Sequence, residues 1–529
     1  MPARFAAMRS IYMNSNIYAI LEKRARLHPE RPAFLRVNGY AVRSLSYREL
    51  SIAVQERACR LLDAGIKVGD TVLILETMKA SLYISILAVT ALGARALFVD
   101  LTGGTAALEQ AVSRLRPDMV VASGRGVLLL LSRPLAPVPI KLLSRVHLPG
   151  KSRSHFEPAD VAADDPAIIT FTSGTGGEPK IIARSHGFLR TQFEVLAESL
   201  SIEEEAIELT CLPMFVLANL AAGATTVLSG ADLTAPGKAR IKTITREIEA
   251  SGAGRLLASP SLVDRLAKEL LVRKKSLPSL KTIHTGGGLV STALVDRVEK
   301  ALPDCDLVTV YGSSEAEPIG HIASSRVTAR DRLAMEKGAG RLVGEPATDI
   351  MIVPAKTPVG NQDPGRRLLE MAAGAPDIVT GEILVSGEHV VKGYLDPAAE
   401  KSTKVRIDGR IWHRTGDTGY LDDRGRLWLT GRLGGEGEHT CFSSSLELIA
   451  LAQPGVRRAA YLGGNTSTLY IEIEPGAGVP SIAIPGVRIV VVPAIPVDRR
   501  HNSKVLYKKI STNSDTSVEL RTGLRTRAG

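Results

Sequence analysis

The chain has 529 residues, of which 44% are apolar and 23% charged, with a formal net charge of +11. That length allows several domains, and the balance is that of a globular chain with a large core. Aromatic residues are only 4%, which argues against nucleic-acid binding on stacking platforms.

The N-terminal stretch "MPARFAAMRSIYMNSN" has no apolar core long enough for a signal peptide. "ERPAFLRVNGYAVRSLSYRELSIAV" predicts a hairpin running into a helix. "TVLILETMKASLYISILAVTALGA" is the most apolar stretch, but Glu76 and Lys79 interrupt it, so it reads as a strand and then a helix, with no transmembrane segment. From there to about residue 312, short apolar runs alternate with amphipathic ones: "RALFVDL" with "TAALEQAVSRL", "RLLAS" with "PSLVDRLAKELLVRK", "TIHTG" with "STALVDRVEKAL". Strands joined by crossover helices predict an α/β fold with mostly parallel sheet. After about Gly344 the texture changes to short strands and Gly/Asp turns, as in "RIWHRTGDTGYLDDRGRLWLTGR". The Gly-rich "LGGEGEHT" beyond Arg432 marks a domain boundary, leaving a small α/β lobe with strands in "TSTLYIEIEP" and "VRIVVVPAIP". The expected domains are 1–432, 433–510 and a basic tail, 511–529, without stable structure. Residues 498–529 hold eight Lys/Arg against three acids. That is a solvated basic end unless an acidic partner is present. The four cysteines, Cys59, Cys211, Cys305 and Cys441, are far apart and form no metal-binding spacing, which fits a reducing cytoplasm.

One stretch stands apart. "TFTSGTGGEPKIIARSH" follows an apolar run and precedes a helical one, and it concentrates Gly, Ser and Thr before Lys180. Main-chain amides in such a turn make an anion-binding concavity, the hydroxyls add donors, and the lysine adds a point charge. The loop suits a polyphosphate tail, although Pro179 and Ile181 exclude the G-x-x-x-x-G-K-[ST] pattern. The bland alternative is a flexible linker.

"FTSGTGGEPK" resembles the phosphate loop of the AMP-forming adenylating enzymes: acyl-CoA synthetases, peptide-synthetase adenylation domains and firefly-type luciferases. Further segments resemble that family in the same order: "TGGG" (285–288), "VYGSSEAEPIGHI", "GEILVSGEHVVKGY", "HRTGDTGYLDDRGRLWLTGR" and "AIPVDRRHNSKVLYKK". The resemblance implies a large N-terminal region of two α/β subdomains and a distorted β-barrel, with a small mobile C-terminal α/β domain. It implies activation of a fatty, hydroxy-fatty or aryl acid by ATP and Mg²⁺ as an acyl-adenylate. Pyrophosphate leaves, and the acyl group then passes to coenzyme A or an acyl carrier protein.

Residue by residue, the resemblance assigns Thr172, Ser173, Gly174, Thr175, Gly177 and Lys180 to the phosphates, and Glu315 to Mg²⁺. Tyr311, Gly312, Ser314 and Gly286, Gly287 and Gly288 fall to the adenine side, Asp417 to the ribose, and Arg432 to the ribose or phosphate. Lys504 would bridge the carboxylate and the α-phosphate. Phe215, Val216 and Ile319 would border the acyl pocket. His186 reads as a packing or capping residue, and Glu317 as a spectator.

The departures are Gly176 for a threonine, Ile181 for a glycine, Val216 for a histidine, and Gly435 near the hinge with no lysine in the turn before Glu447. "RHNSK" and the missing histidine are similar to the β-lactone synthetases of olefin biosynthesis. In those enzymes a β-hydroxyl, rather than a thiol, captures the activated acyl group. A third reading, of another class, is a nucleotide- or acyl-binding protein that has lost catalysis.

Overall fold

The computed structural model describes residues 15–100, 104–143, 155–172, 180–231, 237, 239–354, 369, 379–433, 441–463, 467–498, 502–510 and 518–520. The chain divides into two compact units. The first comprises Met1–Gly230, Arg246–Arg255 and Glu388–Lys404, and the second comprises Ala231–Thr245, Leu256–Gly387 and Val405–Gly529.

In the first unit a six-stranded sheet runs in the order Ile140–Leu143, Met119–Ala122, Thr71–Leu75, Arg95–Phe98, Pro166–Thr172, Lys180–Ser185. The first five strands are parallel and the last is antiparallel. Thr71–Leu75 is buried along its whole length, as expected where helices cover both faces of a parallel sheet. Leu73, Leu97, Val120 and Ile169 form one core with Leu108 and Val112 of the helix Thr105–Leu115. The expected hairpin is Pro32–Asn38 with Ala41–Ser46, and Ser46 and Glu49 form a reciprocal capping box that starts the helix Tyr47–Asp63. Pro32–Asn38 continues in parallel through Thr225–Val227 to Ile207–Thr210.

In the second unit Thr282–Gly286 lies parallel to Asp306–Ser313. An antiparallel run follows: Ala316–Ala323, Arg341–Pro346, Leu427–Arg432, Arg410–Leu421, Gly381–Ser386 and Asp349–Pro354. This run occupies the place of the expected distorted barrel, and its strand order among the described residues is open rather than closed. Further along, the helix Ser443–Leu451 packs on Val456–Leu462, Thr468–Ile473 and Arg488–Val491 around Leu446, Tyr461, Ile471 and Ile489. Within the tail beyond residue 510, Val518–Leu520 pairs with Arg488–Val491. No described helix is long and apolar enough to cross a membrane.

Candidate nucleotide and acid-activation site

In the second unit the three glycines that the resemblance assigns to adenine begin at the end of Thr282–Gly286. A Cβ on Gly286 would lie 2.2 Å from the carbonyl oxygen of Val310 on the neighbouring parallel strand. Gly287 has φ +72°, a conformation that costs L-residues and suits glycine. A Cβ on Gly288 would meet Cβ of Ser503 at 2.6 Å. Two of the three glycines are therefore demanded by close packing and the third by its backbone angle.

Tyr311 stands one strand over, and its hydroxyl donates to Oδ2 of Asp417 at 2.8 Å. The other carboxylate oxygen of Asp417 lies 3.5 Å from Nε of Arg432, its cross-strand partner in register. Oγ1 of Thr415 accepts from the Asp417 amide at 3.0 Å. Burial, and next the adjacent Asp417 carboxylate, push the Tyr311 phenol well above its ordinary range, so its hydroxyl acts as a donor. Asp417 is thus aimed by a tyrosine and an arginine while 22% of its side chain stays accessible. A carboxylate held this way has lone pairs left to accept from a diol.

Ser314 and Glu315 occupy the turn between Asp306–Ser313 and Ala316–Ala323. Oγ of Ser313 accepts from the amides of Glu315 and Ala316, both at 3.2 Å, which shapes the tip. A Cβ on Gly312 would meet the Ala316 carbonyl oxygen at 3.1 Å, so this turn also has little room for a side chain. Ser314 is exposed and Glu315 half-buried. No group of three or more His, Cys, Asp or Glu side chains able to hold a metal occurs among the described residues. A single half-buried carboxylate nevertheless fits Mg²⁺ in a nucleotide enzyme, because that ion keeps waters and takes much of its coordination from substrate phosphates.

Lys504 lies in a turn closed by its own backbone. The Asp498 carboxylate accepts from the amides of Ser503 at 3.2 Å and Lys504 at 2.8 Å. The Asp498 amide donates to the Lys504 carbonyl at 2.8 Å, and Val497 bridges Val505. Asn502 adopts φ 53° and donates to Oγ of Ser261 at 2.9 Å, at the start of the helix Pro260–Arg273. Together with the Ser503–Gly288 approach, these contacts dock the "NSK" turn beside the adenine-side glycines and leave the Lys504 side chain exposed. Glu447 supports the same region from below. It accepts from the Tyr461 amide at 3.0 Å and the Tyr507 hydroxyl at 2.7 Å, and burial pushes its carboxyl up to about 7.

In the first unit Lys180 opens the strand Lys180–Ser185 opposite Thr172, and its ammonium lies 5.5 Å from the ring centre of Tyr394. Ser173, Gly174, Thr175 and Gly177 lie outside the described residues, as do Gly176 and, in the second unit, Gly435. His186 begins the helix His186–Ser199 and is fully buried. Its Nδ1 accepts from the Ile17 amide at 3.1 Å, and burial pushes it down to about 4, which makes it a neutral packing residue. Phe215 and Val216 lie on the helix Pro213–Ala222, 4% and 0% exposed, and Ile319 of the second unit is also at 0%.

The structure therefore brings together Tyr311, Asp417 and Arg432, and separately Gly288 with the turn that carries Lys504. Sequence reasoning missed Thr415, Asp498, Asn502 and Ser261. Thr415 and Asp498 are two and six residues from residues it did name. Ser261, 241 positions from Asn502, carries no local signal.

A comparison with family models matches residues 21–395 to the AMP-binding enzyme family. The chain belongs to that family, and it stands as an adenylate-forming ligase. It is 29% identical over 548 residues to the olefin beta-lactone synthetase of Xanthomonas campestris pv. campestris, covering 94% of this chain and 97% of that one. It is 25% identical over 413 residues to 4-coumarate–CoA ligase 3 of Arabidopsis thaliana, covering 75% and 70%. Among solved structures, the amide bond synthetase of Marinactinospora thermotolerans superposes with a TM-score of 0.72 at 21% identity, covering 94% of this chain and 99% of that one.

Proposed function

We propose that this enzyme activates a β-hydroxy carboxylic acid with ATP and closes it to a β-lactone. In the first step a carboxylate oxygen attacks the α-phosphorus, the α–β phosphoanhydride breaks, and pyrophosphate leaves with its electron pair. In the second the substrate's own β-hydroxyl oxygen attacks the acyl carbon, its proton goes to solvent, and AMP departs. Two anions must meet in the first step, so alignment and charge neutralisation supply most of the rate.

Asp417, aimed by Tyr311 and Arg432, holds the ribose hydroxyls, and the turn at Gly286–Gly288 lets the base approach the backbone. Lys180, with Thr172, Ser173, Gly174, Thr175 and Gly177, binds the β- and γ-phosphates. Glu315 holds Mg²⁺, which when bound neutralises phosphate charge. Lys504 steadies the carboxylate as it approaches the α-phosphate. The observation that carries the nucleotide assignment is the Tyr311–Asp417–Arg432 cluster, in which residues of two motifs meet and a tyrosine and an arginine converge on one partly accessible carboxylate. The internal acceptor is supported by the near full-length similarity to an olefin beta-lactone synthetase, together with Val216 and a lysine-free junction after Arg432.

The similarity to a 4-coumarate–CoA ligase favours a second reading, in which coenzyme A accepts the acyl group. Carboxylate-dependent ATP–pyrophosphate exchange over a panel of acids, followed by product mass with and without coenzyme A, separates the readings. Lactone formed without coenzyme A is the expected result. Thioester formed only with coenzyme A supports the second reading, and no exchange with any acid supports a binding protein. The four cysteines form no disulfide, which supports placing the enzyme in a reducing cytoplasm.

A further inference from the structure

Arg341 plays no part in the activation chemistry, yet it is 3% exposed. Nη2 donates to Oγ1 of Thr309 at 2.5 Å and Nη1 to Sδ of Met335 at 3.4 Å, while Nε has no partner among the described residues. No carboxylate among the described residues pairs with it, and the charged group that bears on it is another cation, Arg332. Arg332 is itself satisfied, by Asp296 at 2.7 Å and Glu299 at 2.5 Å. Burial, then Arg332, push the Arg341 guanidinium down to about 10. It therefore remains a cation at neutral pH. A buried charge without a counter-charge is strongly destabilising, because the interior cannot replace its hydration.

The guanidinium borders a cavity whose polar lining is Thr292, Thr309, Ser324 and Arg332, and the rest of whose wall is apolar side chains. About 10 Å³ of it is open to the centre of a water-sized occupant, about the room one water needs, and the smallest inorganic anions are little larger. Thr292 is the first residue of the ten-residue helix Thr292–Ala301, so the positive end of a helix dipole faces the same space. The Thr292 and Thr309 hydroxyls add donors. The Ser324 hydroxyl donates to Asp306 at 2.9 Å and so contributes no proton to the cavity.

We propose that this cavity binds one small monovalent inorganic anion of chloride size. The anion supplies the charge that Arg341 lacks and ties the strands of Thr309 and Arg341 to the helix Thr292–Ala301. A carboxylate metabolite or a phosphate is too large for the space.

The test uses the full chain. Crystals of the wild type grown in sodium bromide are expected to show an anomalous bromide peak in the cavity beside Arg341. In solution, chloride replaces gluconate at constant ionic strength, since gluconate cannot enter a water-sized cavity. The wild-type Tm is expected to rise saturably by about 1–3 °C, and Arg341→Met is expected to lose the rise. Thr309→Val serves where Arg341→Met does not fold, and is expected to weaken the response. The proposal is overturned by a cavity holding only water, by a carboxylate from residues 355–378 or 434–440 seated against Arg341, or by an equal chloride response in wild type and variant.

Discussion

The Asp417 cluster and the Lys504 turn hold their functional groups by opposite means. Tyr311, Asp417 and Arg432 sit on strands whose ladders fix each backbone before any side chain acts. Lys504 sits in a turn held by the Asp498 carboxylate, the Asp498–Lys504 main-chain bond, the Val497–Val505 bridge, the Asn502–Ser261 hydrogen bond and the absence of a side chain at Gly288. Side-chain changes in the first region are expected to alter recognition and spare the scaffold. In the second, single contacts such as Asn502–Ser261 set where the turn sits.

The sharpest test of this contrast is Lys504→Ala. Carboxylate-dependent ATP–pyrophosphate exchange is expected to fall about 10²–10³-fold while ATP binding, measured by calorimetry, is retained. Unchanged exchange removes Lys504 from the mechanism. Asp417→Ala is expected to raise the KM for ATP about 10–100-fold, the range for a lost charge-assisted hydrogen bond. A collapse in Tm at this position would break the contrast by making the strand cluster structural. Gly288→Ala pushes Ser503 away, and about a tenfold loss of exchange with little change in Tm is expected, since small misplacements are costly in catalysis. Tyr311→Phe frees one oxygen of Asp417 and is expected to raise the KM for ATP only a few-fold.

The smallest effect concerns Glu447 beneath the turn. Its carboxyl is raised from 4.5 to about 7 by burial, so the folded state holds this proton more tightly than the unfolded state does. The resulting stabilisation is complete below about pH 4.5 and is lost as pH rises through about 7. Thermal melts at pH 5 and pH 8 should show a decline in the wild type that Glu447→Gln lacks. An identical decline in both proteins would assign it to other groups.

Much of the fold was legible because apolar runs and helical periods alternate regularly through the first 300 residues, and those local patterns survive in the packed sheets. The hairpin at 32–46 and the buried strand Thr71–Leu75 followed from turn residues and hydropathy alone. Tyr311, Asp417 and Arg432 were each nominated from their motifs, but the bond between Tyr311 and Asp417 spans 106 positions. The burial of Phe215, Val216 and Ile319 was equally beyond reach, since it depends on what covers them rather than on their own type.

By itself the amino-acid order determined where the chain turns tightly, where glycines and hydroxyls concentrate before Lys180 and which acids and cations are available, because φ preferences, donors and charges belong to residues and near neighbours. Only the tertiary structure decided that Gly288 makes room for Ser503, that Asn502 reaches Ser261, and that Arg341 is enclosed without a carboxylate among the described residues. Those facts depend on which distant segments are brought side by side, and that is set by the packing of the whole sheet rather than by any short stretch of it.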